Sequence, residues 1–341
     1  MDPISQGALG AVAALAVAPK ELTRKAVLIG WAGGMFPDLD IFIRSEADPL
    51  LNIEYHRQFT HSLLFIPIGG FICASLFFLL FGKLLKIPFK RIYLFTTAGY
   101  ATAGLLDACT SYGTQLLWPF SNMRVAWNNI SIIDPLFTLP LIIFIIIGLI
   151  KRRAAFGKIA AAFAVSYLLF GVVQRERAFA LQADLIQTRS HTDAQRPTVK
   201  PAFANLILFR SIYQRDGYYY IDAIRVGLFG SPKIYPGKPI EVFDVAAFKN
   251  QLPPNSTLSS DIDRFAHFSD DSLARAPQGP KILGDVRYAT VPNSDNPIWG
   301  IELDPSQPDR HAPFIEFHRV NPEQQQRYSA MLLGREVDSA E

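Results

Sequence analysis

Ser62 to Gly82 is an uncharged apolar run of the length a bilayer-spanning helix needs, about 20 residues, and it decides what kind of fold is open to this chain. Three further segments share its character. Ile92 to Cys109 carries Asp107 near its end as its only charge, Ile132 to Ile150 carries Asp134 at its start, and Phe156 to Val173 carries Lys158 near its edge. Gly7 to Ala18 and Ala26 to Phe36 are apolar but short and rich in Gly and Ala, so either a tilted hairpin or helices packed inside a bundle is open to them. The reading is mainly α. A polytopic membrane bundle of about four to six helices fills residues 1–174, an amphipathic exit helix and linker ending in Pro197 and Pro201 fill 175–200, and a small soluble β-rich or α+β domain fills 201–341.

Charge divides the chain at the same place. Residues 1–174 hold 14 Lys/Arg and 9 Asp/Glu, against 19 and 21 in the remainder. Lys20/Arg24/Lys25, Lys83/Lys86/Lys90/Arg91 and Lys151/Arg152/Arg153/Lys158 fall in alternate loops, whereas the intervening loops hold only Arg44, Arg57 and Arg124. The positive-inside rule makes the basic loops cytoplasmic. Residues 37–61, 110–131 and everything after about 175 then face outward, which predicts a periplasmic C-terminal domain. The net charge of +3 gives no reason to expect nucleic acid, because the basic excess sits in short loops. Cys73 and Cys109 lie in apolar segments and read as small core residues. With no basic n-region and no A-x-A-like site, no cleavable signal peptide is expected.

In the second half, β-like runs appear at Tyr218 to Ile221, Ile224 to Phe229, Asp285 to Val291, Ile298 to Leu303 and Phe314 to Phe317, with Gly and Pro turns between them.

The chemistry concentrates on the outward side of the first half. Asp38 and Asp40 flank one residue just after Pro37; carboxylates at that spacing can converge on one cation, or one can bind while the other orients a ligand. His56 and His61 are the only histidines of that half, and imidazole with carboxylate suits Zn, Mn or Fe better than Mg or Ca. Asp107 stands at the end of a spanning segment, where an unpartnered carboxylate is costly. The candidate ligands are therefore Asp38, Asp40, His56, His61 and Asp107, for a divalent metal that is most simply Zn, with Mn as the alternative. Asp40 or Asp134 would be the general base, although Asp134 before Pro135 is equally placed to cap a helix. Arg57 and Arg124 could hold a substrate phosphate in bidentate fashion, or pair with Asp48 or Glu54. Thr60 and Ser62 read as partners of the ligands or as a helix cap. Trp118, Phe120 and Trp127 fit an interfacial aromatic belt. No P-loop, GxGxxG, HExxH, CxxC or GxSxG string is present.

Gly34-Met35-Phe36-Pro37-Asp38-Leu39-Asp40, His56 to Ser62, and Gly104 to Gly113 running on to Trp118-Pro119-Phe120 resemble the YdjM-like family of bacterial inner-membrane proteins, classed as metal-dependent hydrolases. The likeness spans about residues 1–150. It implies a hydrolase on a helical membrane fold, with a fold-level kinship to zinc-dependent phospholipase C and the P1-type nucleases. Many members have a histidine near the start, where this chain has Gln6, and another four residues before the helix aspartate, where it has Ala103. Alanine cannot bind metal, so the site either holds fewer ions or is disabled.

The leading expectation is a hydrolase of phosphoesters in a lipid-like or envelope substrate, using metal-activated water, with membrane lipid around it. The alternative is a non-catalytic scaffold in which a degenerate cluster ties the outer loops and the outer domain binds a partner. A transporter is disfavoured because the polar residues gather at one face.

Overall fold

Asp2 and Pro3 open the first helix. The Asp2 carboxylate accepts the otherwise orphaned amides of Ile4 and Ser5, and the N–H that Pro3 lacks has no intrahelical partner at this position anyway. In the computed structural model, which describes residues 1–228, 231–317 and 320–337, α1 (Pro3–Ala16) turns back as α2 (Thr23–Met35). Pro37 interrupts the regular helix, and a 3-10 stretch, Phe36–Phe42, carries Asp38 and Asp40. The short α3 (Leu51–Tyr55) and a 3-10 turn, Phe59–His61, lead into α4 (Ile66–Leu85). Then come α5 (Phe89–Cys109), α6 (Pro135–Lys151) and α7 (Ala155–Thr188).

Residues 1–43, 55–173 and 203–205 form one compact unit. Inside it α1, α2 and α5 meet backbone to backbone. A Cβ on Gly99 of α5 would lie 2.3 Å from the Gly30 carbonyl oxygen of α2, and one on Gly10 of α1 would lie 2.5 Å from the same oxygen. Only glycine lets three helices share that point. Val12, Leu15, Leu106, Phe137, Leu141 and Ile145 fill the core beside this seam.

The outer surface of the same unit is apolar. Leu79, Leu80 and Leu84 of α4, Leu136 and Ile150 of α6 and Leu169 of α7 are all more than 60% exposed, as expected of side chains that face lipid rather than water. Among the described residues α4 and α7 are long and apolar enough to cross a membrane, while α1 (14 residues) and α6 (17 residues) are apolar but shorter. At a 1.5 Å rise per residue α1 spans about 21 Å, short of the ~30 Å hydrocarbon core. Of the four expected spanning segments, two therefore meet that standard by length and composition. The segment around Ile92–Cys109 forms α5, which is long enough but turns Thr96, Tyr100 and Asp107 into the bundle.

Residues 44–54, 174–202 and those from 206 onward form a second unit. The expected exit helix over 175–200 is the continuation of α7 as far as Thr188, and the expected linker is strand β1 (Gln195–Pro201). β2 (Leu208–Arg215), β3 (Tyr218–Arg225) and β4 (Lys233–Pro236) complete an antiparallel sheet in the order β1-β2-β3-β4, with β5 (Ile240–Glu241) also paired to β3. After α8 (Val245–Lys249) and α9 (Thr257–Phe268) comes a second antiparallel sheet. Its strands are β6 (Leu273–Arg275), β7 (Ile282–Asp285), β8 (Trp299–Glu302) and β9 (Phe314–Glu316), and α10 (Pro322–Leu332) comes after them.

β2 and β3 are buried on both faces: Phe209 and Ile224 pack with Ala178 of α7, and Leu208 and Ala223 pack with Met331 of α10. The domain is thus α+β. Tyr218–Ile221 and the first two residues of the run expected from Ile224 lie in one strand, which ends at Arg225, and residues 286–291, expected as strand, are irregular because the pairing ends at Asp285. Phe229 and His318 lie outside the described residues.

Candidate metal centre

The helices of the first unit alternate in direction, so the N-termini of α1, α4 and α6 and the C-termini of α2 and α5 gather at one end. That end receives the candidate ligands. The basic loops Lys20–Lys25, Lys83–Arg91 and Lys151–Lys158 lie at the opposite helix ends.

Asp38, His61 and Asp107 converge, each offering a ligand atom within 4.8 Å of the others. Pro37 and the 3-10 turn aim Asp38 into the bundle, the turn Phe59–His61 delivers His61, and α5 delivers Asp107 near its last turn. Close approach is possible because Gly104 leaves room: a Cβ there would lie 2.2 Å from the His61 carbonyl oxygen. His61 Nε2 sits 3.1 Å from Asp38 Oδ1 and 3.1 Å from Asp107 Oδ2.

Asp40 does a different job. Its Oδ2 is 3.2 Å from His61 Nδ1 and accepts from Thr60 Oγ1 (2.6 Å) and the Arg57 amide (3.0 Å), while its Oδ1 is 2.7 Å from His56 Nδ1. A carboxylate on Nδ1 fixes the tautomer that leaves Nε2 as a lone-pair donor, as behind many metal-bound histidines. Asp40 therefore orients both imidazoles. His56 stands at the rim, its ring edge against Tyr112 at 5.5 Å between centroids.

Burial pushes the Asp38 and Asp40 carboxyls up, but the hydrogen bonds and charge of His61, joined by His56 at Asp40, outweigh it and hold both below the usual carboxylate range. Burial lowers His56, against the opposing pull of Asp40.

The donor set fits a divalent cation. Asp107 Oδ2 is buried and makes no hydrogen bond of acceptable geometry among the described residues, although Arg57 Nε and His61 Nε2 both lie 3.1 Å away. One proton on Nε2 cannot serve two carboxylates, whereas a metal would serve all three groups.

The other candidates take separate places. Arg57, buried and in the left-handed region (φ 62°), is held by Asp107 and by Thr110 Oγ1 (3.0 Å). Backbone held in this region is concentrated at functional sites. Arg124 Nη2 donates to the carbonyls of His56 (3.4 Å) and Gly113 (3.2 Å), and the two guanidiniums flank the Tyr112 ring at 4.7 and 5.5 Å. Asp48 and Glu54, weighed as partners for these arginines, instead pair with Arg264.

Asp134 is not brought to the cluster. It caps α6 by accepting from Leu136 and Phe137 amides and accepts from Tyr167 Oη at 2.9 Å.

Gln6, by contrast, reaches the cluster: its Nε2 is 3.3 Å from Asp38 Oδ1. Ala103 is fully buried one turn before Asp107. Sequence reasoning missed Tyr100, whose hydroxyl donates to the Thr60 carbonyl (2.6 Å), and the Met1 α-amino group, which contacts Asp107 Oδ1. Neither position carries a local pattern that marks it.

Residues 1–178 match the YdjM inner membrane protein family. The chain belongs to that family. The matched region holds every residue of the cluster. Among curated relatives, the chain is 30% identical over 131 residues to the uncharacterized protein YfhP of Bacillus subtilis (strain 168), an alignment covering 38% of this chain and 39% of that protein. It is 27% identical over 133 residues to the inner membrane protein YbcI of Escherichia coli (strain K12), covering 38% of this chain and 75% of that one. No solved structure matches the chain.

Proposed function

We propose that this chain is a metal-dependent hydrolase of the bacterial inner membrane that cleaves phosphoester bonds in a lipid-like or envelope substrate. The observation that carries the reading is the convergence of Asp38, His61 and Asp107 around a buried carboxylate oxygen that lacks a well-formed hydrogen bond among the described residues. A Zn or Mn ion held there would acidify a bound water and polarise a phosphoryl oxygen.

The side chains around it have separate work. Asp40 keeps His61 in the binding tautomer. It also accepts from His56 Nδ1, which leaves His56 Nε2 at the rim as a general base; the arrangement favours His56 in that role over Asp134, whose oxygens are committed to α6 and Tyr167. Arg57 holds Asp107, so Arg124 is the better placed of the two arginines to meet a substrate oxygen. The exposed Phe120, Met123 and Trp127 would seat the apolar part of an amphiphile. By the positive-inside rule the cluster and the C-terminal domain face the periplasm.

A second reading has its own support. The family resemblance implies histidines where this chain has Gln6 and Ala103, and a centre with fewer ions could serve as a scaffold that ties the outer loops.

Metal content of detergent-purified parent, His61→Ala and Ala103→His, then turnover of a phosphoester panel, decides between them. The hydrolase reading expects stoichiometric Zn or Mn in the parent, its loss in His61→Ala, and turnover that Asp107→Asn abolishes. Metal without turnover, or metal gained only in Ala103→His, supports the scaffold, and no metal in any variant removes the hydrolase reading.

A further inference from the structure

The chain leaves the first unit after Ile43, three residues beyond Asp40, and returns at Tyr55, one residue before His56. The excursion, residues 44–54, belongs to the second unit. Two of its acidic side chains, Asp48 and Glu54, meet one guanidinium. Arg264 of α9 makes a two-pronged contact with Asp48 (Nη1 to Oδ1 3.0 Å, Nη2 to Oδ2 2.9 Å). The same guanidinium grips Glu54 Oε2 with Nε (3.0 Å) and Nη2 (2.7 Å), and reaches Asp261 Oδ1 with Nη1 (3.0 Å). All five N–H donors of a guanidinium are thereby engaged.

The clamp is itself braced. Asp261 Oδ2 accepts from the Ala312 amide (2.9 Å) and lies 2.9 Å from His311 Nδ1. On the segment, Asp48 Oδ1 accepts from the Leu50 amide (3.1 Å), and Leu50 is fully buried. Glu54 lies within α3, which runs directly into His56. The Gln58 amide donates to Tyr55 O (3.1 Å), and the Arg57 amide donates to Asp40 Oδ2 (3.0 Å).

We propose that Arg264 is a positioning residue for the metal centre. By fixing Asp48 and Glu54 it orders the segment that joins Asp40 to His56, so that the C-terminal domain governs whether the Asp40–His56–His61 network assembles. The inference rests on the metal-centre reading. Fifteen residues separate Asp40 from His56. An unrestrained connection of that length leaves its two ends to find each other at an entropic cost that a clamp near its middle removes. The guanidinium suits the task because its planar fork satisfies two carboxylates at once, which an ammonium cannot do.

The test uses full-length protein in detergent and begins without metal. Amide exchange is measured at Arg57, over Leu51–Tyr55, and at β2–β3 as a folding control. Arg264→Ala is expected to speed exchange at Arg57 and α3 by ~10-fold or more while β2–β3 stays protected. Arg264→Lys should fall between, and Asp48→Asn/Glu54→Gln should reproduce the effect without adding to Arg264→Ala. In zinc titrations the same variants should bind ~10-fold more weakly than the parent.

Unchanged protection at Arg57 in both Arg264→Ala and the Asp48→Asn/Glu54→Gln pair overturns the proposal. If Arg264→Ala loses β2–β3 protection, the paired variant, which keeps Arg264 and its Asp261 contact, carries the test. A parent that binds no zinc sinks the metal reading alone, because the exchange result is obtained without metal.

Discussion

A carboxylate beside a metal either binds the ion or orients the group that does, and the two roles respond differently to substitution. Asp38→Asn or His61→Ala should abolish stoichiometric metal, whereas Asp40→Asn, which only loosens the imidazoles, should weaken affinity by ~10–100-fold; calorimetric titration separates the two outcomes. The five acid and imidazole residues were legible in the sequence because charge is rare in that half. Their division of labour was not, since it depends on which histidine nitrogen each oxygen meets.

Lys200 of β1 offers a residue-scale test in the other unit. It is buried and directly opposite Arg210 on β2. Burial first, and the Arg287 charge next, push it down to about 7, with Asp285 pulling the other way. Unfolded, it titrates near ~10.4. Between those values the unfolded chain holds a proton that the fold has released, so stability rises with pH across that window, and below about 7 the buried charge carries its full penalty. Lys200→Met should therefore be more stable than the parent at pH 6, by on the order of 2–4 kcal/mol in denaturant unfolding, and the advantage should shrink as pH rises toward 10. An advantage that is flat with pH would show that Lys200 keeps its proton in the fold and is not pushed down by burial.

At the scale of elements, helix ends decide what Asp134 can do. With one oxygen on the first-turn amides of α6 and both oxygens on Tyr167, it works as a cap. Asp134→Ala should cost about 1–2 kcal/mol in thermal unfolding and leave metal content unchanged; loss of turnover in a stable, metal-loaded variant would restore its catalytic assignment. The contact of α1, α2 and α5 makes an equally definite demand. Gly99→Val places carbon against the Gly30 carbonyl, so it should part α2 from α5 and reduce metal binding although it touches no ligand. The long apolar runs announced α4 and α7 because composition alone distinguishes them. α9 and β2 were overlooked for a physical reason: β2 is buried on both faces, which erases the alternation that marks a half-exposed strand, and the amphipathic face of α9 lies in a polar stretch where a loop reads the same.

For the molecule as a whole, the decisive asymmetry is that the basic loops and the candidate ligands occupy opposite helix ends of the first unit. In a bilayer the Lys/Arg-rich loops should stay cytoplasmic, and the ligand end is then exposed to the periplasm. α7 extends the same constraint to the rest of the chain: it starts beside Lys151, Arg152 and Arg153 and runs unbroken for 34 residues, about 50 Å, which exceeds the ~30 Å apolar layer. If α7 crosses the bilayer, the residues after Thr188 lie on the far side from those basic residues. With the two buried native cysteines replaced by alanine, cysteines introduced at exposed Ser306 and Lys151 make this measurable in intact spheroplasts. An impermeant maleimide should label Ser306→Cys at once and Lys151→Cys only after the membrane is opened. The reverse pattern would put the ligand cluster in the cytoplasm and exclude an envelope substrate, whatever the metal content proves to be.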